Sequence, residues 1–236
     1  MLTDVLHAAV LCSKRAPGFA SLLHHPFRGP LFEVDCVMTT EPDLADCGVP
    51  VIAHPIRSFY DDRRAALRDL DVRRDYDAAT AAILRHLGID TVILLGYLYV
   101  VTDALLDAFP GRVLNVHDAD LALRRPDGGP RYPGLHSTRN AIVAGERETR
   151  SSVHRVTPEL DGGPVIVRSE PFPVAPFVHD AVQGGHSDIV RAYAYAHREW
   201  MIRSSWGALV VNALEILAAE EGRIPAGFQP ACEIVP

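Results

Sequence analysis

The chain of 236 residues contains 48% hydrophobic and 22% charged residues, and its formal net charge is −7. This composition is typical of a globular protein that can bury a core, and the mild acidity argues against nucleic-acid or anionic-membrane binding. No apolar run reaches the roughly 18 residues of a membrane span. The first apolar run precedes the basic pair Lys14-Arg15, the reverse of a secretory signal. We therefore expect one soluble, cytoplasmic domain over residues 1–236.

The cysteines suggest neither disulfides nor a metal site. Cys12, Cys36, Cys47 and Cys232 form no CxxC pair and no metal-ligand spacing. Cys12 and Cys36 lie in apolar runs, where a cysteine behaves as a small buried hydrophobe. Free thiols are expected.

The first half of the chain alternates short apolar runs with longer helical patterns. Apolar runs bounded by Gly and Pro predict strands at Leu6–Cys12, 32–38, 49–53, 91–95 and 112–116. Apolar residues at helical spacing predict helices at 19–25, 62–87 and 103–109. Strand–helix–strand alternation predicts an α/β architecture with a doubly wound, mostly parallel central sheet.

The pattern changes in the second half. Strands are predicted at 152–156 and 165–170, and the connection 157–164 is too short for a helix, so they should pair antiparallel. A long final helix is predicted at 187–216, with a possible interruption near Gly207. The segment 123–133 is rich in Arg, Gly and Pro and predicts a surface loop.

Candidate chemistry lies at the end of the strand at 112–116. Asn115 and His117 are two residues apart on a strand and therefore point the same way, and ligands of open parallel sheets bind beyond the carboxyl ends of the strands. Asp161 precedes two glycines, which permit close backbone approach. An aspartate facing a histidine orients the ring and favours its charged form, and an asparagine can donate to an oxyanion. Together they suit attack of an amine on a carbonyl. The same residue types also fit purely structural roles, with Asn115 capping a turn, His117 in a loop and Asp161 forming a turn.

Other site classes have weaker support. The run from His117 to Asp120 contains potential metal ligands, but no HExxH or similar spacing accompanies it. No GxGxxG follows the first strand and no GxSxG occurs, so neither a nicotinamide enzyme nor an α/β-hydrolase is indicated.

Four blocks in order resemble the folate-dependent formyltransferases, in particular the glycinamide ribonucleotide transformylases of purine synthesis. They are IDTVILLGY at 89–97, FPGRVLNVH at 109–117, YPGLH at 132–136 and ELDGGPVI at 159–166. The resemblance implies a Rossmann-like formyltransferase fold, mostly parallel, with a C-terminal antiparallel part and a long final helix. It also implies 10-formyltetrahydrofolate as formyl donor, a small-molecule amine as acceptor, and Asn115, His117 and Asp161 as catalytic residues.

The same resemblance implies two sets of binding residues. The folate is expected to contact Leu95, Gly96, Tyr97, Leu98, Val100, Val101, Thr157, Glu159 and Leu160. The acceptor is expected to contact Lys14, Arg15, Gly18, Tyr132, Pro133, Gly134 and His197.

The acceptor side departs from the family pattern. The family's Gly-Ser-Asn phosphate loop is replaced by residues 13–19, in which Pro17 donates no amide. The Pro-Ser-Leu-Leu-Pro that follows the Asn-x-His block is replaced by residues 118–123, and the family's acidic residue of the final helix is replaced near His197. These departures predict an acceptor other than glycinamide ribonucleotide. The alternatives are a glycinamide ribonucleotide transformylase, a 10-formyltetrahydrofolate hydrolase and a non-catalytic folate-binding protein.

Overall fold

The computed structural model describes residues 5–41 and 47–224, so Cys232 lies outside the described residues. The strands are β1 Leu6–Cys12, β2 Phe32–Thr39, β3 Val51–Ala53, β4 Thr91–Leu94, β5 Val113–His117, β6 Glu148–Thr149, β7 Ser152–Arg155, β8 Val165–Arg168 and β9 Phe172–Pro173. The helices are α1 Phe19–Leu23, α2 Ile56–Asp62, α3 Leu70–His86, α4 Asp103–Leu106, α5 Ser137–Val143, α6 Pro176–Gln183 and α7 Ser187–Glu220.

Within the described residues, seven strands form one sheet in the order β3-β2-β1-β4-β5-β7-β8. Strands β1 to β5 are parallel, whereas β7 pairs antiparallel with both β5 and β8. The predicted mostly parallel α/β sheet with an antiparallel part and a long final helix is confirmed.

The central strands carry long apolar runs, such as residues 8–12 of β1, because both faces of the sheet are covered. Val10 of β1 packs into a cluster with residues of α1 and α7, whereas its neighbours Ala9 and Leu11 join a second cluster with residues of α3 and α4. Successive side chains of a strand point to opposite faces, so an uninterrupted apolar run is required here.

Only the part of the helix predicted at 62–87 that begins at Leu70 is present, as α3, and a break separates it from α2, which ends at Asp62 and was not predicted. Arg64 takes a left-handed φ of 53° just after α2, and Asp69 then begins α3 by accepting hydrogen bonds from the N–H groups of Asp71 and Val72. An aspartate N-cap satisfies donors that a new helix leaves free. This cap is the physical reason for the break. The short elements β6, β9, α5 and α6 were not predicted from the sequence.

Helix α7 continues through Gly207 without interruption. A Cβ built on Gly207 would lie 2.4 Å from Cβ of Ser21, and one on Gly18 would lie 2.9 Å from the Gly207 nitrogen. Gly207 therefore allows the first loop and α1 to pack closely on α7. By length and composition α7 could cross a membrane, but 78% of its most apolar window is buried inside the protein, as in a core helix.

Candidate active site

The predicted trio converges beyond the carboxyl end of β5. The Nε2 atom of His117 lies 3.5 Å from Oδ2 of Asp161, and Asn115 lies two residues before His117 on the same strand. All three line one cavity of about 300 Å³, together with residues that follow β4 and β7. The structure thus brings an amide, an imidazole and a carboxylate to a single concave site.

Asp161 is held in an uncommon backbone conformation. Its φ is 52°, it is buried, and its Oδ2 accepts a 2.7 Å hydrogen bond from the Gly134 N–H. Aspartate tolerates the left-handed region better than most residues. A Cβ on Gly163 would lie 1.8 Å from the Arg155 carbonyl oxygen, so the glycine lets this loop return beside β7.

The ring of His117 has room for a further bond. Its Nε2 is buried and has no hydrogen-bond partner within the described chain, because its approach to Asp161 is long. A buried donor or acceptor without a partner is costly. Since His117 also lines the cavity, this nitrogen is a candidate for contact with a bound ligand.

His154 belongs to the site and was missed from the sequence. It stands opposite Asn115 across the antiparallel β5–β7 pair, with its Nε2 3.0 Å from Nδ2 of Asn115. Its Nδ1 lies 3.0 Å from the Arg155 carbonyl oxygen, which assigns the proton to Nδ1 and lets Nε2 accept from the Asn115 amide. Burial lowers the pKa of His154 to about 4, outweighing the opposing effect of Asp161. Finding it from sequence would have required the β5–β7 register.

Most of the residues predicted to contact the folate line the cavity. The cavity is lined by Gly96, Tyr97, Leu98, Val100, Val101, Thr157, Glu159 and Leu160. Leu95 is the exception, because its side chain is fully buried in the core cluster beneath the sheet. Gly96 has a φ of 76°, and a Cβ there would lie 2.6 Å from the Arg15 carbonyl oxygen, so the wall turns where only glycine fits.

Among the residues predicted to contact the acceptor, Gly134 lines the cavity, whereas Tyr132, Pro133 and His197 do not. Tyr132 is buried in a neighbouring apolar cluster, and its hydroxyl donates to Glu146 at 2.8 Å; Pro133 is not among the lining residues. His197 is buried between Thr149 and Tyr193, at 2.7 Å and 3.3 Å, and it faces a second cavity. The structure therefore does not bring His197 to the trio.

The first loop reaches α7 instead. Lys14 is exposed, and Gly18 packs against Gly207. Arg15 pairs with Glu199 through both guanidinium nitrogens, and these hydrogen bonds lower the pKa of the Glu199 carboxyl. An acidic residue is thus present on the final helix, two residues beyond the position where the sequence suggested its replacement.

Arg198 is a second residue that the sequence did not reveal. It lines the cavity, and its Nε donates to Oδ2 of Asp118 at 2.7 Å. It is the sole Lys or Arg among the cavity-lining residues of the described chain. Arg198 was not predicted because the spacing of apolar residues along α7 does not show which face of the helix meets the sheet.

A buried arginine lies behind the folate wall. Arg73 of α3 is almost fully buried, and its Nε and Nη1 lack hydrogen-bond partners within the described residues. Its guanidinium carbon lies 4.8 Å from the ring centre of Tyr99, a lining residue. A cation in this position suits a carboxylate at the edge of the cavity.

Residues 6–183 match the family described as Formyl transferase. The phosphoribosylglycinamide formyltransferase of Escherichia coli is 38% identical over 100 residues, which cover 42% of this chain and 43% of the relative. That of Haemophilus influenzae is 32% identical over 102 residues, covering 43% and 44%. The matched segment thus spans less than half the length of these relatives. Glycinamide ribonucleotide transformylase 1 from Symbiobacterium toebii superposes with a TM-score of 0.58 and 27% identity, covering 84% of this chain and 86% of that one.

These matches overturn the predicted choice of acceptor. The departures at residues 13–19 and 118–123 suggested an acceptor other than glycinamide ribonucleotide, whereas the relatives are named for that substrate. The prediction was wrong because it relied only on the residue types in these two loops. It missed Arg198, which lines the cavity, and Glu199 beside it, which pairs with Arg15 of the first loop.

Proposed function

Since the chain belongs to the formyl transferase family, we propose that it transfers a formyl group from 10-formyltetrahydrofolate to the amine of glycinamide ribonucleotide. The observation that carries the proposal is the cavity in which His117 faces Asp161 at 3.5 Å with Asn115 beside it. No serine or cysteine nucleophile is needed, because the acceptor's own amine attacks the formyl carbon.

In the proposed reaction, bound 10-formyltetrahydrofolate supplies the formyl carbon. The Asn115 amide and a protonated His117 donate hydrogen bonds where negative charge develops on the formyl oxygen. His154 holds the Asn115 amide by accepting one of its two N–H bonds, which leaves the other for the reacting oxygen. A bond forms between the acceptor nitrogen and the formyl carbon, and the bond from that carbon to the folate nitrogen breaks.

Asp161 has two roles in this scheme. It faces His117 and stabilises the charged ring, and it lies close enough to help carry the proton from the attacking amine to the departing folate nitrogen. The Gly134 N–H fixes its orientation at 2.7 Å. A carboxylate held this firmly is pre-organised for both roles.

The residues present fit a folate. Leu98, Val100 and Leu160 are exposed apolar side chains at the cavity, which suit the flat body of a pterin and the ring that follows it. Arg73 lies behind the lining residue Tyr99, where its positive charge suits a carboxylate of the glutamate tail near that edge of the cavity.

The proposal is tested by incubating the purified protein with 10-formyltetrahydrofolate in the presence and absence of glycinamide ribonucleotide. We expect release of tetrahydrofolate that depends on the acceptor, with formylglycinamide ribonucleotide as the second product. Equal release without the acceptor would identify a hydrolase. Folate binding without any release would identify a binding protein.

A further inference from the structure

Asp118 and Arg198 form an ion pair at the wall of the active-site cavity. Asp118 directly follows His117, its side chain is 5% exposed, and its Oδ2 accepts the 2.7 Å hydrogen bond from Nε of Arg198. The Thr138 hydroxyl lies 2.8 Å from the same oxygen and 2.9 Å from the Asp118 carbonyl oxygen, so its one proton is shared between the two acceptors. A buried carboxylate with this many donors has a fixed position, and Arg198 is fixed by it.

The bond through Nε leaves the end of the guanidinium group available. Arg198 retains 30% side-chain exposure and lines the cavity with Asn115, His117 and Asp161. Its Nη1 lies 3.8 Å from Glu199, too long for a hydrogen bond. The two terminal nitrogens of an arginine can bind two oxygens of one phosphate or carboxylate in parallel.

The surroundings of Arg198 carry excess positive charge. Glu199 contacts Arg15 and Arg203 as well as Arg198. Asp118 and Glu199 oppose these three arginines, and Lys14 lies next to Arg15 in the chain. The cluster therefore has a surplus of two positive charges in a chain whose net charge is −7. A phosphate monoester near neutral pH carries a charge of about −1.5 to −2.

Part of the backbone of the first loop is not free to bind an anion. The Ser13 N–H donates to the Gly96 carbonyl oxygen at 3.2 Å, and the Phe19 N–H donates to that of Ala16 at 3.2 Å. Pro17 has no N–H, and the helix that follows has only five residues. Side-chain cations compensate for these three positions.

We propose that Arg198 binds the phosphate of the acceptor ribonucleotide, and that buried Asp118 is the positioning residue that aims its guanidinium into the cavity. The inference rests on the proposed function, since it assigns the acceptor half of the same site. It makes Arg198 a determinant of specificity for phosphorylated acceptors.

The test compares glycinamide ribonucleotide with its dephosphorylated riboside for the wild-type protein and for Arg198→Ala. The wild-type protein should prefer the phosphorylated acceptor in kcat/KM. Arg198→Ala should reduce that preference by roughly tenfold to hundredfold, the size of a lost charge-assisted bond. Because Arg198→Ala leaves the buried Asp118 carboxylate without its partner, unfolding of the variant is measured beside its kinetics, and the double variant with Asp118→Asn removes the unpaired charge. Arg191→Ala is the matched control, because Arg191 lies on the same helix and pairs only with exposed Asp188 in the described structure. An unchanged preference in Arg198→Ala would overturn the assignment.

The role of Asp118 has a separate signature. Asp118→Asn should raise KM for glycinamide ribonucleotide while kcat stays within about twofold, because only uniform binding is lost. Adding it to Arg198→Ala should cause no further loss, since residues acting as one unit are not additive. Additive losses, or a fall in kcat alone, would contradict the positioning role.

A binding measurement separates this inference from the proposed function. Inorganic phosphate, titrated calorimetrically, should bind the wild-type protein and bind Arg198→Ala at least tenfold more weakly. No turnover is required for this comparison. Equal phosphate binding by the two proteins would contradict the role of Arg198 even if formyl transfer is confirmed. A difference in phosphate binding in a protein that transfers no formyl group would contradict only the proposed reaction.

Discussion

Asn115 and His154 face each other across the antiparallel pair of β5 and β7, and the Asn115 amide nitrogen lies 3.0 Å from the imidazole Nε2. The second imidazole nitrogen is bonded to the Arg155 carbonyl oxygen, so the ring presents a lone pair to Asn115. A neutral histidine thereby fixes the rotamer of the amide that is proposed to meet the formyl oxygen.

Replacing His154 should impair catalysis more than binding. His154→Ala should lower kcat for formyl transfer by roughly tenfold to hundredfold, because the Asn115 amide loses its buried acceptor. His154→Gln should recover part of the loss, since a glutamine oxygen can accept the same bond. Steady-state kinetics with both variants checks this. Wild-type kcat in His154→Ala would contradict it.

His154 should also make folding stability depend on pH. Its pKa is lowered from 6.5 to about 4 by burial, so between these values the unfolded chain binds more protons than the folded one. Stability should therefore fall as pH drops from about 6.5 towards 4, by up to roughly 3 kcal/mol from this group. Urea unfolding at pH 7.5 and pH 5 measures it. His154→Gln should show a shallower loss, and an equal loss in both proteins would exclude His154 as the source.

Gly96 should be irreplaceable for steric reasons. Gly96 and Gly145 both have left-handed φ angles, 76° and 90°, but a Cβ on Gly145 meets nothing within 4 Å. Gly145→Ala should cost about 1 kcal/mol of backbone strain. Gly96→Ala should cost more and weaken folate binding, because its Cβ would lie 2.6 Å from the Arg15 carbonyl oxygen. Denaturant unfolding compares them, and equal costs would mean that the contact relaxes freely.

Arg73 should affect the folate and not the acceptor. Arg73→Met, which retains apolar packing against the tyrosine rings, should raise KM for 10-formyltetrahydrofolate roughly tenfold, because a positive charge near the glutamate tail is lost. A folate analogue without the glutamate should be bound equally by both proteins. Arg74→Ala is the control, since Arg74 is exposed and pairs with Asp103. A normal KM for the full donor in Arg73→Met contradicts the assignment.

The sheet could be predicted because a strand buried on both faces needs a continuous apolar run, which is visible in the sequence. Thr91, Val92, Ile93 and Leu94 are all buried in β4, and an unmixed apolar run of this length is typical of a central parallel strand. The convergence of Asn115 and His117 followed from the same reasoning, because their strand ends at the ligand-binding edge.

What escaped prediction depended on pairing between distant segments. His154 is recognisable only from its register with Asn115, and Leu95 turns into the core one residue before the wall begins. Arg198 lines the cavity although it lies 80 positions from Asp118, its partner, and Gly18 and Gly207 let the first loop pack on α7, where Arg15 meets Glu199. The spacing of residues along the chain does not show contacts between distant segments. The prediction of the acceptor was wrong for this reason.

The central claim is that His117, paired with Asp161, stabilises the reacting formyl oxygen. The most direct test is the single-turnover rate of formyl transfer to glycinamide ribonucleotide by His117→Ala, with folate binding measured on the same preparation. Losing one such donor typically costs roughly 2.7–4 kcal/mol of barrier. We therefore predict a rate about a hundredfold to a thousandfold below wild type, with folate affinity retained. A wild-type rate in His117→Ala would contradict this role of His117.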